Sequence, residues 1–321
     1  MTPANTSPLE SAVLRPIRDA FGEELVKLAE ENPRLVALTA DLAEAVRLNR
    51  FAELYPDRFI QMGICENDMM GTAAGLALGG MIPVATTFAV FATSLANQPV
   101  RLSAAYNRTN MKIVASHGGV TVGPDGATHQ SFEDVGLMRL LPGMMVVVPG
   151  DAVEMAKALR AVVEYDGPVY MRIGRIPTPV VTQPETPFQL GRGVFLKEGT
   201  DVAILTTGSM VAVGLAAAEA MEKESIHACV LHLPTVKPLD EEAVMDAAAR
   251  CSRVVTVEEH SIIGGLGGAV AELLSERLPT PLRRVGVKDT FGESGEPGEI
   301  LEKYGMTPSD VMEAIRFLVN N

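Results

Sequence analysis

After Asp68 the chain carries no Lys, Arg, Asp or Glu until Arg101. So long an uncharged stretch has to be covered, by protein or by lipid, because exposed apolar surface on that scale is unfavourable. Its length invites a membrane reading. Gly71, Gly75, Gly79, Gly80 and Pro83 break it, however, and Thr86, Thr87, Thr93, Ser94, Asn97 and Gln98 are polar. The pattern predicts a Gly/Ala-rich helix over 69–78, a buried strand over Ile82–Phe88 and the start of a second helix. Small residues let another backbone approach closely, so the first helix is expected to pack against a partner subunit. At the mouth of the stretch stands Glu66, in Gly63-Ile64-Cys65-Glu66-Asn67-Asp68. A carboxyl at the edge of a buried surface is expected to have a raised pKa, because low dielectric penalises its ionised form. Such a group exchanges protons near neutral pH, which acid–base chemistry needs. A satisfied structural glutamate is the plain alternative.

On either side, short apolar runs alternate with helical patterns. Residues 16–31 place Ile17, Phe21, Leu25 and Leu28 on one face of a helix that Asn32-Pro33 stops. Strands are predicted at 35–38, 59–62, 82–88, 113–116, 144–148 and 169–173, with a helix over 151–164 opened by Asp151. Apolar runs of this length suit strands covered on both faces of a parallel sheet. Ile176–Pro187 holds four prolines in twelve residues and is read as a stiff, extended linker. The alternation then restarts at 202–206. The expected fold class is α/β, with two doubly wound domains: 1–175, a linker over 176–192, and a smaller unit over 193–321. A chain of 321 residues suits two domains.

The bulk numbers exclude some partners. A net charge of −13 gives no basic footprint for nucleic acid or an anionic membrane. Cys65, Cys229 and Cys251 lack zinc-ligand spacing and read as free thiols of a reducing, cytoplasmic setting. Met1–Pro16 has no basic segment followed by an apolar core and does not read as a leader.

Chemistry-bearing residues fall at the C-terminal ends of the first unit's strands, where open parallel sheets place their sites. Asp41 ends one strand, Glu66 follows the next, Phe88 and Phe91 a third, and His117 a fourth; Arg172 lies on the last. From His117 the chain runs Gly118-Gly119-Val-Thr-Val-Gly123-Pro124-Asp125-Gly126-Ala127-Thr128-His129-Gln130. Its glycines and proline make it a loop with special backbone angles. Two histidines and an acid could bind metal, but His117 and His129 stand twelve positions apart and no fourth ligand is near.

These residues resemble the transketolase family. The resemblance rests on Glu66 in Gly-Ile-x-Glu, Phe88 and Phe91 in Thr-Phe-x-x-Phe, and His117…Gly-x-Asp125-Gly-x-Thr-His129-Gln, and it runs from about Arg15 to the end. It implies thiamine diphosphate as cofactor. Glu66 resembles the glutamate that hydrogen-bonds N1′ of the aminopyrimidine and favours the imino tautomer that deprotonates the thiazolium. Phe88 and Phe91 resemble the walls of the pyrimidine pocket, since a flat ring needs flat, apolar neighbours. Asp41 resembles the acid near the thiazolium. Asp125 and His129 resemble residues that hold the hydroxyl and carbonyl end of a sugar, and His117, Arg172 and Arg18 the cations that grip its phosphate. On this reading Glu66, His117 and His129 are the catalytic candidates. For Arg18 and Arg172 the alternative is a salt bridge at the surface or between the domains.

Two positions depart from the family pattern: Ser94 stands where a third aromatic is usual, and Ala45, with Arg47 close by, where a phosphate-binding serine is usual. The chain also contains no Gly-Asp-Gly, the motif by which the family's other half holds Mg²⁺ and the diphosphate. The expectation is therefore the C-terminal subunit of a split transketolase. Mg²⁺ would be held by an N-terminal partner subunit, and the chain would homodimerise within an α2β2 assembly and act on sugar phosphates. A specialised relative taking an unusual sugar such as apulose 4-phosphate, the β subunit of a 2-oxo acid dehydrogenase, and a non-catalytic binding subunit are the competing readings. Gly264-Gly265-Leu266-Gly267-Gly268 lacks dinucleotide-binding spacing. Glu258-Glu259-His260 before it is expected at an interface, and Cys65 is expected to be a packed thiol.

Overall fold

Leu35–Thr39, Ile82–Phe88 and Lys112–Ser116 are strands buried at every residue. That is the environment their unbroken apolar runs require. They were observed in a computed structural model that describes residues 12–321. Residues 1–11, which carry most of the reading of the N-terminus, lie outside the described residues. The three strands form the middle of a seven-stranded sheet ordered Thr235–Lys237, Met145–Val147, Val169–Arg172, Lys112–Ser116, Ile82–Phe88, Leu35–Thr39, Phe59–Gln61. All neighbours are parallel except Thr235–Lys237, which runs antiparallel to Met145–Val147.

Strand periodicity divides the core. Leu35 and Ala37 point to one face, where Phe21 and Leu25 of the helix Ile17–Glu31 and Met155 and Leu159 of the helix Ala152–Glu164 cover them. Val36 and Leu38 point to the other face, against Met69, Met70 and Ala73 of the helix Glu66–Leu78. Each of the larger ones, the Leu, Val, Phe and Met side chains, contributes about 1.5–3 kcal/mol by leaving water. The uncharged stretch thus folds as the predicted helix and strand, followed by irregular helical turns over 91–106. No helix among the described residues is long and apolar enough to cross a membrane.

The second unit is a five-stranded sheet ordered Leu282–Val287, Val254–Ser261, Val202–Thr206, Ala228–His232, Val194–Lys197. The first four are parallel and the last antiparallel. The sheet is flanked by the helices Met210–Glu222 and Pro308–Asn320 on one side and Glu241–Cys251 and Leu266–Arg277 on the other.

The structure adds elements that periodicity did not reveal. Pro177–Pro179, within the expected linker, pairs with Leu14–Pro16 in a two-stranded antiparallel ribbon. Prolines are tolerated there because such a ribbon is all edge. Thr235–Lys237 is too short to show a period, and it ties the second unit to the first unit's sheet. Cys65, expected to be packed, is exposed, while Cys229 and Cys251 are buried with their Sγ atoms 3.6 Å apart.

Candidate active site

Because the strands run parallel, their C-terminal ends share one edge, and the side chains that follow stand beside each other. The sheet order carries Glu66, Asp41, Phe88 and His117 across that edge in sequence. Glu66 is the first residue of the helix Glu66–Leu78 rather than part of the preceding loop. A carboxylate suits the positive end of a helix. It is 4% exposed, and Thr87 Oγ1 donates to its Oε1 at 3.2 Å. Among the described residues its Oε2 has no partner. Asp41 is exposed and adopts φ +62°, and its N–H donates to Gln61 Oε1 at 2.7 Å.

Four rings meet beside Glu66's neighbour Thr87. Phe88 and Phe91 stack with centroids 5.8 Å apart and planes 11° from parallel. The His117 ring stacks on Phe88 at 3.8 Å. His129 presents its edge to both phenylalanines, at 6.2 and 5.5 Å. Ser94, where a third aromatic is usual, donates to Glu133 at 3.1 Å. His117 is 3% exposed, adopts φ +58° and places Nδ1 2.9 Å from Ser116 Oγ. Burial, reinforced by Arg18, Arg175, His129 and Arg47, lowers it from 6.5 to about 3. It is therefore a neutral ring at neutral pH, and the expectation of a cationic His117 is corrected: the lack of water and the surrounding guanidiniums exclude the proton.

Cations converge behind these rings. Arg18 Nη1 donates to the Ala45 carbonyl at 3.1 Å, while its buried Nε has no partner. Burial holds Arg18 below the ordinary guanidinium range, and Arg47 and Arg175 press in the same direction against Asp19. Arg47 pairs with Asp19 at 2.6 Å. Arg175 lies 3.6 Å from Asp125 and donates to the Val122 carbonyl, and so holds the loop from beneath. Three guanidiniums, one with an unmet donor, offer N–H groups of the kind that a tetrahedral anion accepts.

Arg172 is not part of that cluster. It is 5% exposed, its Nε lies 3.2 Å from Asp134 Oδ2, and its Nη2 donates to the Glu259 carbonyl at 2.6 Å. Arg172, expected to grip a phosphate, is instead engaged in an ion pair with Asp134 of its own unit and a hydrogen bond to a backbone carbonyl of the other. Arg172 sits on the strand, whose side chains alternate into the core, whereas Arg175, past the strand end, can reach the site. Arg175 was missed for that reason; its signal in the sequence was its place beyond the strand, beside the proline-rich segment. Among the described residues no group of three or more His, Cys, Asp or Glu side chains could hold a metal ion.

With this geometry in place, comparison with known proteins identifies the class. Residues 15–180 match the transketolase pyrimidine-binding domain and residues 191–311 the transketolase C-terminal domain. The chain belongs to the transketolase family. Over 93% of its length it is 45% identical to the 6-deoxy-6-sulfo-D-fructose transketolase subunit SqwH of Clostridium sp. (strain MSTE9), covering 92% of that protein. It is 37% identical to a subunit of the apulose-4-phosphate transketolase of Phocaeicola vulgatus, covering 94% of this chain and 97% of that one. A solved split gene transketolase, an inactive beta4 tetramer, superposes with a TM-score of 0.89 at 46% identity, covering 95% of this chain and 98% of its own.

Proposed function

We propose that this chain is the C-terminal subunit of a two-chain, thiamine-diphosphate-dependent transketolase that moves a two-carbon ketol unit between sugars bearing a terminal phosphate or sulfonate. The observation that carries the reading is the juxtaposition of a buried carboxylate with a free oxygen, a stacked phenylalanine pair and an arginine cluster in which the buried Arg18 Nε has no partner.

The aminopyrimidine end of the cofactor fits what these residues offer. Glu66 would hydrogen-bond a ring nitrogen, Phe88 and Phe91 would wall the ring, and Asp41 would stand near the thiazolium. When bound, thiamine diphosphate supplies a nucleophilic carbon and an electron sink for making and breaking the carbon–carbon bond. Through that hydrogen bond Glu66 would favour one tautomer of the ring. His129 and Asp125 hold the sugar's hydroxyl and carbonyl end, and His129 can exchange a proton there. His117, neutral, donates or accepts a hydrogen bond. Arg18, Arg47 and Arg175 hold the far anion and orient the substrate for reaction.

The diphosphate and Mg²⁺ fall to a separate N-terminal subunit in this reading, and the assembly is α2β2. Relatives named as subunits, matched almost end to end, support that division. Free thiols suit the cytoplasm. Two of these relatives are named for a sulfonated and a phosphorylated sugar, and the arginine cluster suits either head group.

The test is a ketol-transfer assay of the chain with the polypeptide that co-purifies with it, offered phosphate- and sulfonate-terminated ketoses in parallel. Turnover is expected only in the two-chain mixture, and Glu66→Gln should lower kcat about 100-fold or more. Turnover by the chain alone, or wild-type rates from the Glu66 variant, would overturn the proposal.

A further inference from the structure

The loop from Gly118 to Gln130, which carries Asp125 and His129, is held from the second unit as well as from the first, where the Ile173 carbonyl accepts the Gly118 N–H and Arg175 binds the Val122 carbonyl. At its base, Glu259 of the strand Val254–Ser261 accepts the Thr121 N–H on Oε1 at 2.8 Å and the Ser209 hydroxyl on Oε2 at 3.1 Å. The carboxylate is 5% exposed. Two loop residues make room for this contact. A Cβ on Gly119, which has φ +90°, would overlap Glu259 Oε1, and one on Gly118 would overlap Arg172 Nε. Near the other end, Gln130 Nε2 donates to the Val120 carbonyl at 3.0 Å and across to the Glu293 carbonyl at 2.9 Å. Gly126, with φ +74°, approaches so closely that a Cβ there would overlap Ser294 Oγ. The loop's remaining face, through His129, meets Phe88 and Phe91.

We infer that Glu259 is a positioning residue: through Thr121 it sets where Asp125 and His129 stand over the aromatic pocket, so that the C-terminal domain, and not the pyrimidine domain alone, shapes the sugar site. That Asp125 and His129 contact sugar rests on the function proposed above; that Glu259 fixes the loop does not. A buried carboxylate that accepts a backbone N–H and a hydroxyl leaves both donors unmet when it is removed.

Hydrogen exchange on the full chain reads this directly. Glu259→Ala should speed exchange of the amides from Thr121 to Gln130 by about tenfold or more while the strands of both sheets keep their protection. Glu259→Gln, which retains an acceptor for Thr121, should restore slow exchange. Gln130→Met, which removes the bridge to Glu293, should loosen the same segment and serves if Glu259→Ala does not fold. Unchanged exchange over Thr121–Gln130 in a folded Glu259→Ala protein, or in Gln130→Met if the former does not fold, overturns the inference. In the two-chain assay, Glu259→Ala should raise the sugar KM with a smaller effect on kcat, and Glu259→Gln should reverse this. A kcat loss at unchanged KM would also overturn it. Loop loosening without any wild-type ketol transfer would instead leave the positioning role standing and remove the proposed function.

Discussion

His117 shows how far a residue's neighbours decide its chemistry. From the sequence it is one histidine among five. In the fold it stacks on Phe88, sits among three arginines and is neutral, lowered from 6.5 to about 3. The sign of the linkage follows. Between pH 6.5 and about 3 the unfolded chain takes up a proton that the folded one refuses. The neutral ring therefore costs no stability above the upper value, and stability falls as pH drops through that window. Nuclear magnetic resonance of the imidazole signals should show no titration of His117 between about pH 5 and 8 in the chain without substrate. A midpoint near its ordinary 6.5 would refute the placement. Lys112 poses the complementary case: burial pulls it down to about 7, yet its Nζ meets Asn110 Oδ1 and the Tyr165 and Gly167 carbonyls at 2.5–2.9 Å, three acceptors for the three protons of an ammonium.

Among the elements, the helix Ala152–Glu164 was legible to its first residue, because Asp151 is an N-cap and the helix has a strongly one-sided apolar pattern. What the sequence did not disclose is that the cap reaches further. Asp151 Oδ1 accepts the N–H groups of Val153 and Glu154 and the Thr182 hydroxyl, and Oδ2 accepts the N–H groups of Val181 and Thr182. One carboxylate thereby starts a helix and pins the proline-rich connection. Asp151→Ala should cost about 3 kcal/mol or more, beyond the roughly 1 kcal/mol of an ordinary cap, because several buried donors lose their acceptor. Urea denaturation with an unchanged slope measures it, and a loss near the ~1 kcal/mol of a simple cap would mean that the connection is held by other contacts. The short strand Thr235–Lys237 and the ribbon Leu14–Pro16 with Pro177–Pro179 escaped the sequence for a different reason. Three residues carry no readable period, and their pairing is decided by partners far along the chain.

Taken as a whole molecule, the two units share a core. The cluster that holds Val36, Leu38 and Ile113 of the first sheet continues through Val146 and Tyr170 into Ala203, Leu205 and Leu231 of the second. Buried polar pairs cross the same boundary: Glu154 with His232 at 2.8 Å, and Arg172 with the Glu259 carbonyl at 2.6 Å. Units joined this way should unfold together. Calorimetry of the full chain should give one cooperative transition, and two resolved transitions would show that the boundary is weaker than its contacts imply.

The amino-acid sequence alone carried the two α/β units, most of their strands and helices, the family, and the motifs that bear Glu66, Phe88, Phe91 and His129. These follow from periodicity and from motifs that are local along the chain. What depended on the folded chain is that Arg175 and Arg47 join Arg18 while Arg172 does not, that His117 is uncharged, and that Glu259 contacts the Gly118–Gln130 loop from the other domain. Charge state and side-chain direction depend on what lies across a strand end or a domain boundary, and no local pattern records that distance.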